Sequence, residues 1–193
     1  MIELVSEKLT NYISSNSDIN DSEIPKINFA IKSILSEGSK FIIMFIIFFM
    51  LGTENYFLLS FIILSSIRIY SGGIHFYTYT SCLIFSFAIF FINSYLTPLY
   101  IGVIDVYTYL FLSVLSLLII YIKSPQVSKF RKKHKKYNNS KMILRSKLIS
   151  TLVTLFFLCI SFLLFRNTLY MSCSIITILV QSIQLIPASK INR

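Results

Sequence analysis

The sequence predicts an all-α protein that crosses a membrane about six times. Of its 193 residues, 55% are hydrophobic, and the mean hydropathy of +0.73 lies well above that of a soluble domain. The net charge of +10 would suggest nucleic acid as the partner of a soluble protein. In a chain this hydrophobic, the Lys and Arg excess instead fits the positive loops of membrane proteins, so no nucleic-acid partner is expected.

The N-terminal segment, residues 1–38, looks different from the rest, because it holds six of the eight carboxylates. Its apolar residues recur at helical spacing: Ile24, Ile27, Ile31, Ile34 and Leu35. This pattern predicts an amphipathic helix that lies on or enters the membrane surface. We expect no signal peptide here, since the first forty residues contain no apolar core segment near their start.

Two apolar runs, Phe41–Leu51 and Tyr56–Tyr70, flank the polar residues Gly52–Asn55. Each run alone is short for a membrane span of roughly 20 residues. One helix of about thirty residues would place Glu54 inside hydrocarbon, which is costly. We therefore favour two spans that turn at Gly52–Asn55, with the first helix beginning before Lys40.

Four further spans are predicted at about Tyr79–Leu96, Leu99–Tyr121, Leu148–Phe165 and Leu169–Ile186. Pro98 suits the first turn of its helix, where its missing N–H costs nothing. Asp105 follows within two turns and is expected near the membrane interface.

The distribution of positive charge tests this count of spans. Residues 122–147 hold ten of the 18 Lys and Arg residues, which predicts a cytoplasmic loop. With six spans, every Lys and Arg except Arg166 then lies on the cytoplasmic side, as do both termini. A five-span model would export the N-terminal lysines.

The chain is thus expected to form one domain, 1–193. Its parts are the N-terminal segment 1–38, four spans in 39–121, the basic loop 122–147, two spans in 148–187 and a tail, 188–193.

The short stretch 68–82, RIYSGGIHFYTYTSC, gathers unusual residues for such a chain and is expected to face the cytoplasm. It contains Arg68, the pair Gly72–Gly73, one of two histidines and one of three cysteines. Thr80 or Ser81 is a suitable N-cap for the third span, which places Cys82 in its first turn. The positive end of a helix stabilises a thiolate, and His75 could hold the proton, as in a Cys–His nucleophile pair.

Each of these residues also has a structural interpretation. Cys82 could be an ordinary small apolar residue, as we expect Cys159 and Cys173 to be. Arg68 could bind a substrate carboxylate or anchor the loop to lipid phosphate. The basic run that includes Lys132 and Lys133 could determine topology and contact anionic lipid, or hold an acidic peptide.

Two glutamines in the last span are also open to two interpretations. Gln181 and Gln184 could form an interhelical hydrogen bond, orient His75 or line a substrate groove. The cysteine spacing indicates neither a disulfide framework nor a metal site.

In motif and layout the chain resembles the accessory gene regulator protein B (AgrB) family of quorum-sensing membrane peptidases. The resemblance rests on Arg68, on Gly73 two residues before His75, and on Cys82 seven residues after it. It extends to the amphipathic start, the basic loop between the fourth and fifth spans, and the final QSIQLIP before a basic tail, so it covers nearly the whole chain.

The resemblance implies a cysteine endopeptidase in the bacterial cell membrane that removes the C-terminal tail of a small amphipathic propeptide, AgrD. Cys82 would be the nucleophile and His75 the general base. A thioester on Cys82 would then be attacked by a side chain of the peptide, which closes a thiolactone or lactone ring. A homodimer is expected from the family alone, and neither a cofactor nor a metal is implied.

One departure is that no Asp or Glu lies near the pair in sequence, so the oxyanion hole and any third catalytic residue are unassigned. The backbone N–H of Cys82 is a candidate for the oxyanion hole. The competing interpretations are a non-enzymatic membrane scaffold that recruits partners through its basic loop, and a small transporter. The spans hold almost no charged residue at mid-bilayer, which disfavours the transporter.

Overall fold

A computed structural model describes residues 2–16, 20, 23–74, 78–101, 103–126, 140–166 and 168–191. Its helices confirm the predicted all-α fold of a polytopic membrane protein. In chain order they are α1 (Ile2–Ser15), α2 (Ile24–Met50), α3 (Glu54–Ser71), α4 (Tyr79–Phe91, extended by a π-helical segment, Ile92–Ile101), α5 (Val106–Lys123), α6 (Ser140–Leu164) and α7 (Leu169–Ile191). The chain forms two units, Met1–Phe48 and Phe49–Arg193.

The first unit contains α1 and most of α2. The ammonium of Lys32 donates to the carboxylate of Glu3, and this hydrogen bond with the accompanying charge attraction holds the pKa of Glu3 below its usual value. The predicted amphipathic helix is the N-terminal part of α2, which continues without a break into the first predicted span. Helix α1 was not anticipated by the sequence interpretation.

The break predicted between the first two spans is confirmed. Helix α2 ends at Met50 and α3 begins at Glu54. Gly52 between them adopts φ +67°, a conformation that glycine reaches without steric cost. The N–H of Gly52 donates to the carbonyl of Phe49 at 3.0 Å, which closes the turn.

The predicted boundary between the third and fourth spans is wrong. Pro98 does not start a helix but lies inside the π-helical segment that prolongs α4 to Ile101. A π-helical segment has wider turns than an α-helix, and beside the proline the Thr97 hydroxyl donates to the Ile92 carbonyl at 2.8 Å. Helix α5 begins only at Val106, where Asp105 is the N-cap and accepts from the Tyr107 N–H.

The predicted limits of the basic loop, 122–147, also need correction. Lys123 is the last residue of α5, and α6 begins at Ser140, eight residues earlier than predicted. Lys141, Arg145 and Lys147 therefore lie on a helix. Residues 127–139 lie outside the described part of the chain.

In the second unit, α7 is the central helix and is largely buried. It runs parallel to α3, as three contacts in register along both helices show. These are the rings of Tyr56 and Tyr170, the hydroxyls of Ser60 and Thr177, and the side chains of Ser71 and Gln181. Helix α5 has the same direction, with Tyr109 bonded to Ser172 near its start, and α4 and α6 run the opposite way.

This alternation places the link between α3 and α4, the end of α5 and the start of α6 at the same end of the second unit. Arg166 lies at the opposite end, beyond α6. Among the described residues, five helices are long and apolar enough to cross a membrane: α2, α4 with its extension, α5, α6 and α7. Helix α3 is not among these five, although it lies alongside α7 over its whole length.

Candidate functional site

The link between α3 and α4 begins at a glycine that packs directly against the end of α5. Gly72 adopts φ +77° and ψ −158°, and forms an isolated bridge with Gln126. The N–H of Gln126 donates to the carbonyl of Ser71 at 2.8 Å. A Cβ atom on Gly72 would lie 2.2 Å from the Gln126 carbonyl oxygen, so this position requires glycine for both conformation and space.

Arg68, in the last turn of α3, holds the next part of the link. Its guanidinium donates to the carbonyl of Ile74 at 2.6 Å. Gly73 lies against the same guanidinium, because a Cβ there would be 3.3 Å from the Arg68 Nε. Arg68 and Gly73, both predicted site residues, are thus brought together, and Arg68 positions the backbone residue to which His75 is joined.

The two predicted glutamines of α7 behave differently. The buried Gln181 amide donates to the Ser71 hydroxyl and to the Gly72 carbonyl, each at 3.0 Å. Gln184, one turn later, is 5% exposed, and neither atom of its carboxamide has a hydrogen-bond partner. Gln181 therefore fixes the start of the link, while Gln184 keeps an unsatisfied amide at the same end of the helices.

Helix α4 begins with Thr78 as its N-cap rather than with the predicted Thr80 or Ser81. The Thr78 side chain accepts from the backbone N–H of Ser81 at 3.3 Å, and its hydroxyl also contacts the Ser81 hydroxyl.

Cys82 lies in the first turn of α4, half-buried and outside any disulfide. Its N–H, the candidate donor for an oxyanion hole, donates to the Thr78 carbonyl at 3.2 Å.

Three of the predicted site residues, His75, Lys132 and Lys133, lie outside the described residues. Of the other two thiols, that of Cys159 is exposed on α6 and that of Cys173 is buried in α7. Within the described ranges, no three His, Cys, Asp or Glu residues come together in a way that could hold a metal ion.

Sequence interpretation missed two residues that hold the link in place, Gln126 and Thr78. Thr78 had only a weak local signal, because it is one of several neighbouring hydroxyl residues that could cap the helix. Gln126 had no local signal, since its backbone pairs with Ser71, which is more than fifty residues away in sequence.

Comparison with known proteins places the chain in a family. The model of the Accessory gene regulator B family matches residues 6–185. A curated relative, a putative AgrB-like protein of Clostridium beijerinckii, is 40% identical over 101 residues. The match covers 52% of this chain and spans only about half, 51%, of that relative. No solved structure matches the chain. Because the family model covers nearly the whole sequence, the chain belongs to the accessory gene regulator B (AgrB) family.

Proposed function

We propose that this protein is a membrane cysteine endopeptidase that removes the C-terminal tail of a small AgrD-like propeptide and supports cyclisation of the remainder. Membership of the AgrB family supports a role in processing the quorum-sensing peptide. Cys82 is the proposed nucleophile and His75 the proposed general base.

One observation carries the proposal: Cys82 follows a short link whose two ends are held by specific hydrogen bonds. On one side, Gln181 and Arg68 bind the carbonyls of Gly72 and Ile74. On the other side, Thr78 caps the helix that carries Cys82. Only residues 75–77 separate these two anchored positions. Such an arrangement limits where a base at position 75 can lie relative to the thiol, as nucleophilic catalysis requires.

In the proposed reaction, His75 accepts the proton of the Cys82 thiol, and the thiolate attacks the scissile carbonyl. The C–N bond breaks, the proton passes to the leaving amine, and the tail departs to leave a thioester on Cys82. A Cys or Ser side chain of the bound peptide then attacks the thioester carbonyl. This step closes the thiolactone or lactone ring and returns the proton to the Cys82 sulfur.

The position of Cys82 at a helix start supports both steps. The first turn of α4 carries a partial positive charge that stabilises a thiolate. The half-buried setting limits water, so attack by the peptide side chain can compete with hydrolysis of the thioester. Positive charge at this end, carried by Lys123, Lys141 and Arg145, would attract an acidic propeptide tail. Lys132 and Lys133 are proposed to contribute to the same attraction.

The same charge favours the cytoplasm as the side on which this end lies. The proposed active site would then meet a propeptide before export, at the depth where an amphipathic substrate helix rests on the membrane.

Intact mass spectrometry of the protein in lipid vesicles tests the proposal, with a synthetic candidate propeptide as substrate. Wild type should release the tail and form a thioester adduct at Cys82. Cys82→Ala should abolish both, and His75→Ala should reduce release by at least about 100-fold, the usual contribution of general base catalysis. A cyclic product differs from the hydrolysed one by the mass of one water, which shows whether cyclisation is intrinsic.

Cys159→Ala is the matched control, because it removes another thiol that is accessible at the surface of the helices. This variant should keep wild-type activity. Tail release that persists in Cys82→Ala would exclude Cys82 as the nucleophile. If loss of activity instead followed neutralisation of Lys132 and Lys133 but not Cys82→Ala, the scaffold interpretation would replace the peptidase.

A further inference from the structure

An apolar groove of about 360 Å³ runs along the lateral surface between α5 and α6. Its walls are Leu117, Leu118 and Tyr121 of α5 and Thr151, Leu152 and Leu155 of α6. Two of these side chains, Tyr121 and Thr151, carry a hydroxyl, and that of Thr151 donates to the Leu148 carbonyl. Leu152 is 63% exposed, so the groove opens sideways, towards the lipid that surrounds a membrane protein.

One end of the groove carries a positive charge. The Lys147 Nζ lies 4.1 Å from the centre of the Tyr121 ring, and Lys147 is one helical turn before Thr151. Contact with the ring face stabilises the ammonium and fixes its position. Lys147 is half-buried, as is typical of lysines near a membrane interface.

Within the second unit, no acidic side chain lies near this charge. Residues 49–193 contain only two carboxylates, Glu54 and Asp105. Glu54 begins α3 and Asp105 caps the start of α5, which places both at the opposite end of the helices. At this end of its helices, the second unit therefore offers the Lys147 ammonium no carboxylate side chain.

This end of the groove is also the end that holds the link between α3 and α4. The Ser124 and Ser150 hydroxyls lie 2.8 Å apart and join the end of α5 to α6. Two residues beyond Ser124, the Gln126 N–H donates to Ser71. The charged end of the groove thus lies at the depth where the polar headgroups of a membrane would meet these helices.

We propose that the groove binds one acyl chain of an anionic phospholipid, with the lipid phosphate on the Lys147 ammonium. Hydrocarbon fits the aliphatic walls, and the phosphate supplies the anion that the second unit lacks at this end of its helices. Basic pockets between membrane helices are known to favour anionic headgroups. This lipid site extends beyond the proposed peptidase activity and does not depend on it.

An acidic peptide is a less suitable occupant than a lipid. Its side chains and backbone would have to lie against leucines on a surface that opens to the bilayer, where polar groups lack partners. A lipid meets no such cost, because its chain is already in hydrocarbon.

Native mass spectrometry of the full chain in detergent tests the site, with palmitoyl-oleoyl phosphatidylglycerol as the probe and the matching phosphatidylcholine as the neutral lipid. We expect one retained phosphatidylglycerol and weaker retention of phosphatidylcholine. Lys147→Gln should weaken phosphatidylglycerol binding about fivefold, the effect expected for one lysine near an anionic surface. Leu152→Trp, which fills the groove, should weaken the binding of both lipids.

Two variants on the same helix serve as controls. Arg145→Gln removes an exposed charge about 200° around α6 from Lys147, since each residue turns the helix by roughly 100°. Leu163→Trp enlarges a side chain that is 80% exposed and outside the groove. Both should bind phosphatidylglycerol as wild type does.

Equal losses in Lys147→Gln and Arg145→Gln would overturn the proposal, because they would indicate diffuse charge rather than a site. Equal retention of the two lipids by wild type would overturn it as well. If Lys147→Gln left phosphatidylglycerol retention unchanged but weakened the binding of a synthetic acidic peptide, the charge would belong to a peptide site.

Discussion

Gly52 and Gly72 both have a positive φ, but only Gly72 is packed closely against other atoms. Comparing the two positions therefore distinguishes the cost of backbone strain from the cost of a steric clash. Gly52 has φ +67° and open space where a Cβ would lie. Gly72 has φ +77°, and a Cβ there would lie 2.2 Å from the Gln126 backbone oxygen. Backbone atoms cannot move aside as a flexible side chain can, so a methyl group at position 72 must displace the link or the end of α5.

We therefore predict that Gly72→Ala is much more destabilising than Gly52→Ala. The latter should cost about 1–2 kcal/mol, the strain of a left-handed residue. Gly72→Ala adds the cost of overpacking, roughly 1–3 kcal/mol more, and should also reduce tail release. Thermal unfolding of the two variants in the same detergent measures the difference. Similar unfolding temperatures would contradict the close approach of Gly72 to Gln126.

At the scale of single elements, α7 contains two buried glutamines with opposite expected behaviour. Gln181→Leu removes the hydrogen bonds to Ser71 and Gly72 and leaves their oxygens unsatisfied, which should cost about 1–3 kcal/mol. Gln184→Leu removes an amide that has no partner, so stability should be unchanged or rise by about 1 kcal/mol. Thermal unfolding of both variants checks this order.

The kinetics of the same two variants distinguish a residue that positions the link from a residue that binds substrate. Because Gln181 holds the link before His75, Gln181→Leu should lower kcat for tail release with little change in KM. We expect the unsatisfied Gln184 amide to bind the peptide backbone, so Gln184→Leu should raise KM by about tenfold, the value of one hydrogen bond of roughly 1.4 kcal/mol. A stable Gln184→Leu protein with wild-type KM would show that Gln184 does not contact the substrate.

The elements themselves were predictable from sequence wherever their signal was local. Hydrophobic runs located the helices, and Gly52 marked the turn between α2 and α3. Pro98 misled the assignment, because proline is equally compatible with a first helical turn and with a π-helical segment, and only packing decides between them. Cys82 and Arg68 were recognised from their spacing, whereas the pairing of Gln126 with Ser71 depends on the tertiary fold.

For the whole molecule, the direction of α3 decides the topology. Helix α3 is less clearly a membrane span than its neighbours by hydropathy, yet it runs parallel to α7 from Tyr56 to Ser71. Parallel second and sixth helices are what a six-span chain requires, since even-numbered spans cross in the same direction. The packing thus favours the count that the positive charges predict.

We predict that Lys26 and Lys141 lie on one side of the membrane and Arg166 on the other. Single cysteines at these positions, in a chain whose three native cysteines are replaced by alanine or serine, can be labelled with a membrane-impermeant maleimide in intact cells and in lysed cells. Only the position 166 cysteine should react in intact cells, because the predicted six-span topology places every other Lys and Arg on the cytoplasmic side. Protection of all three in intact cells, with labelling after lysis, would place Arg166 on the cytoplasmic side and contradict the six-span topology. Labelling of position 26 together with 166, but not 141, would mean that α3 does not cross and that the chain has five spans. In that case the link carrying Gly72 and Cys82 could not share a membrane face with the N-terminal segment, and a propeptide could not contact both from one side.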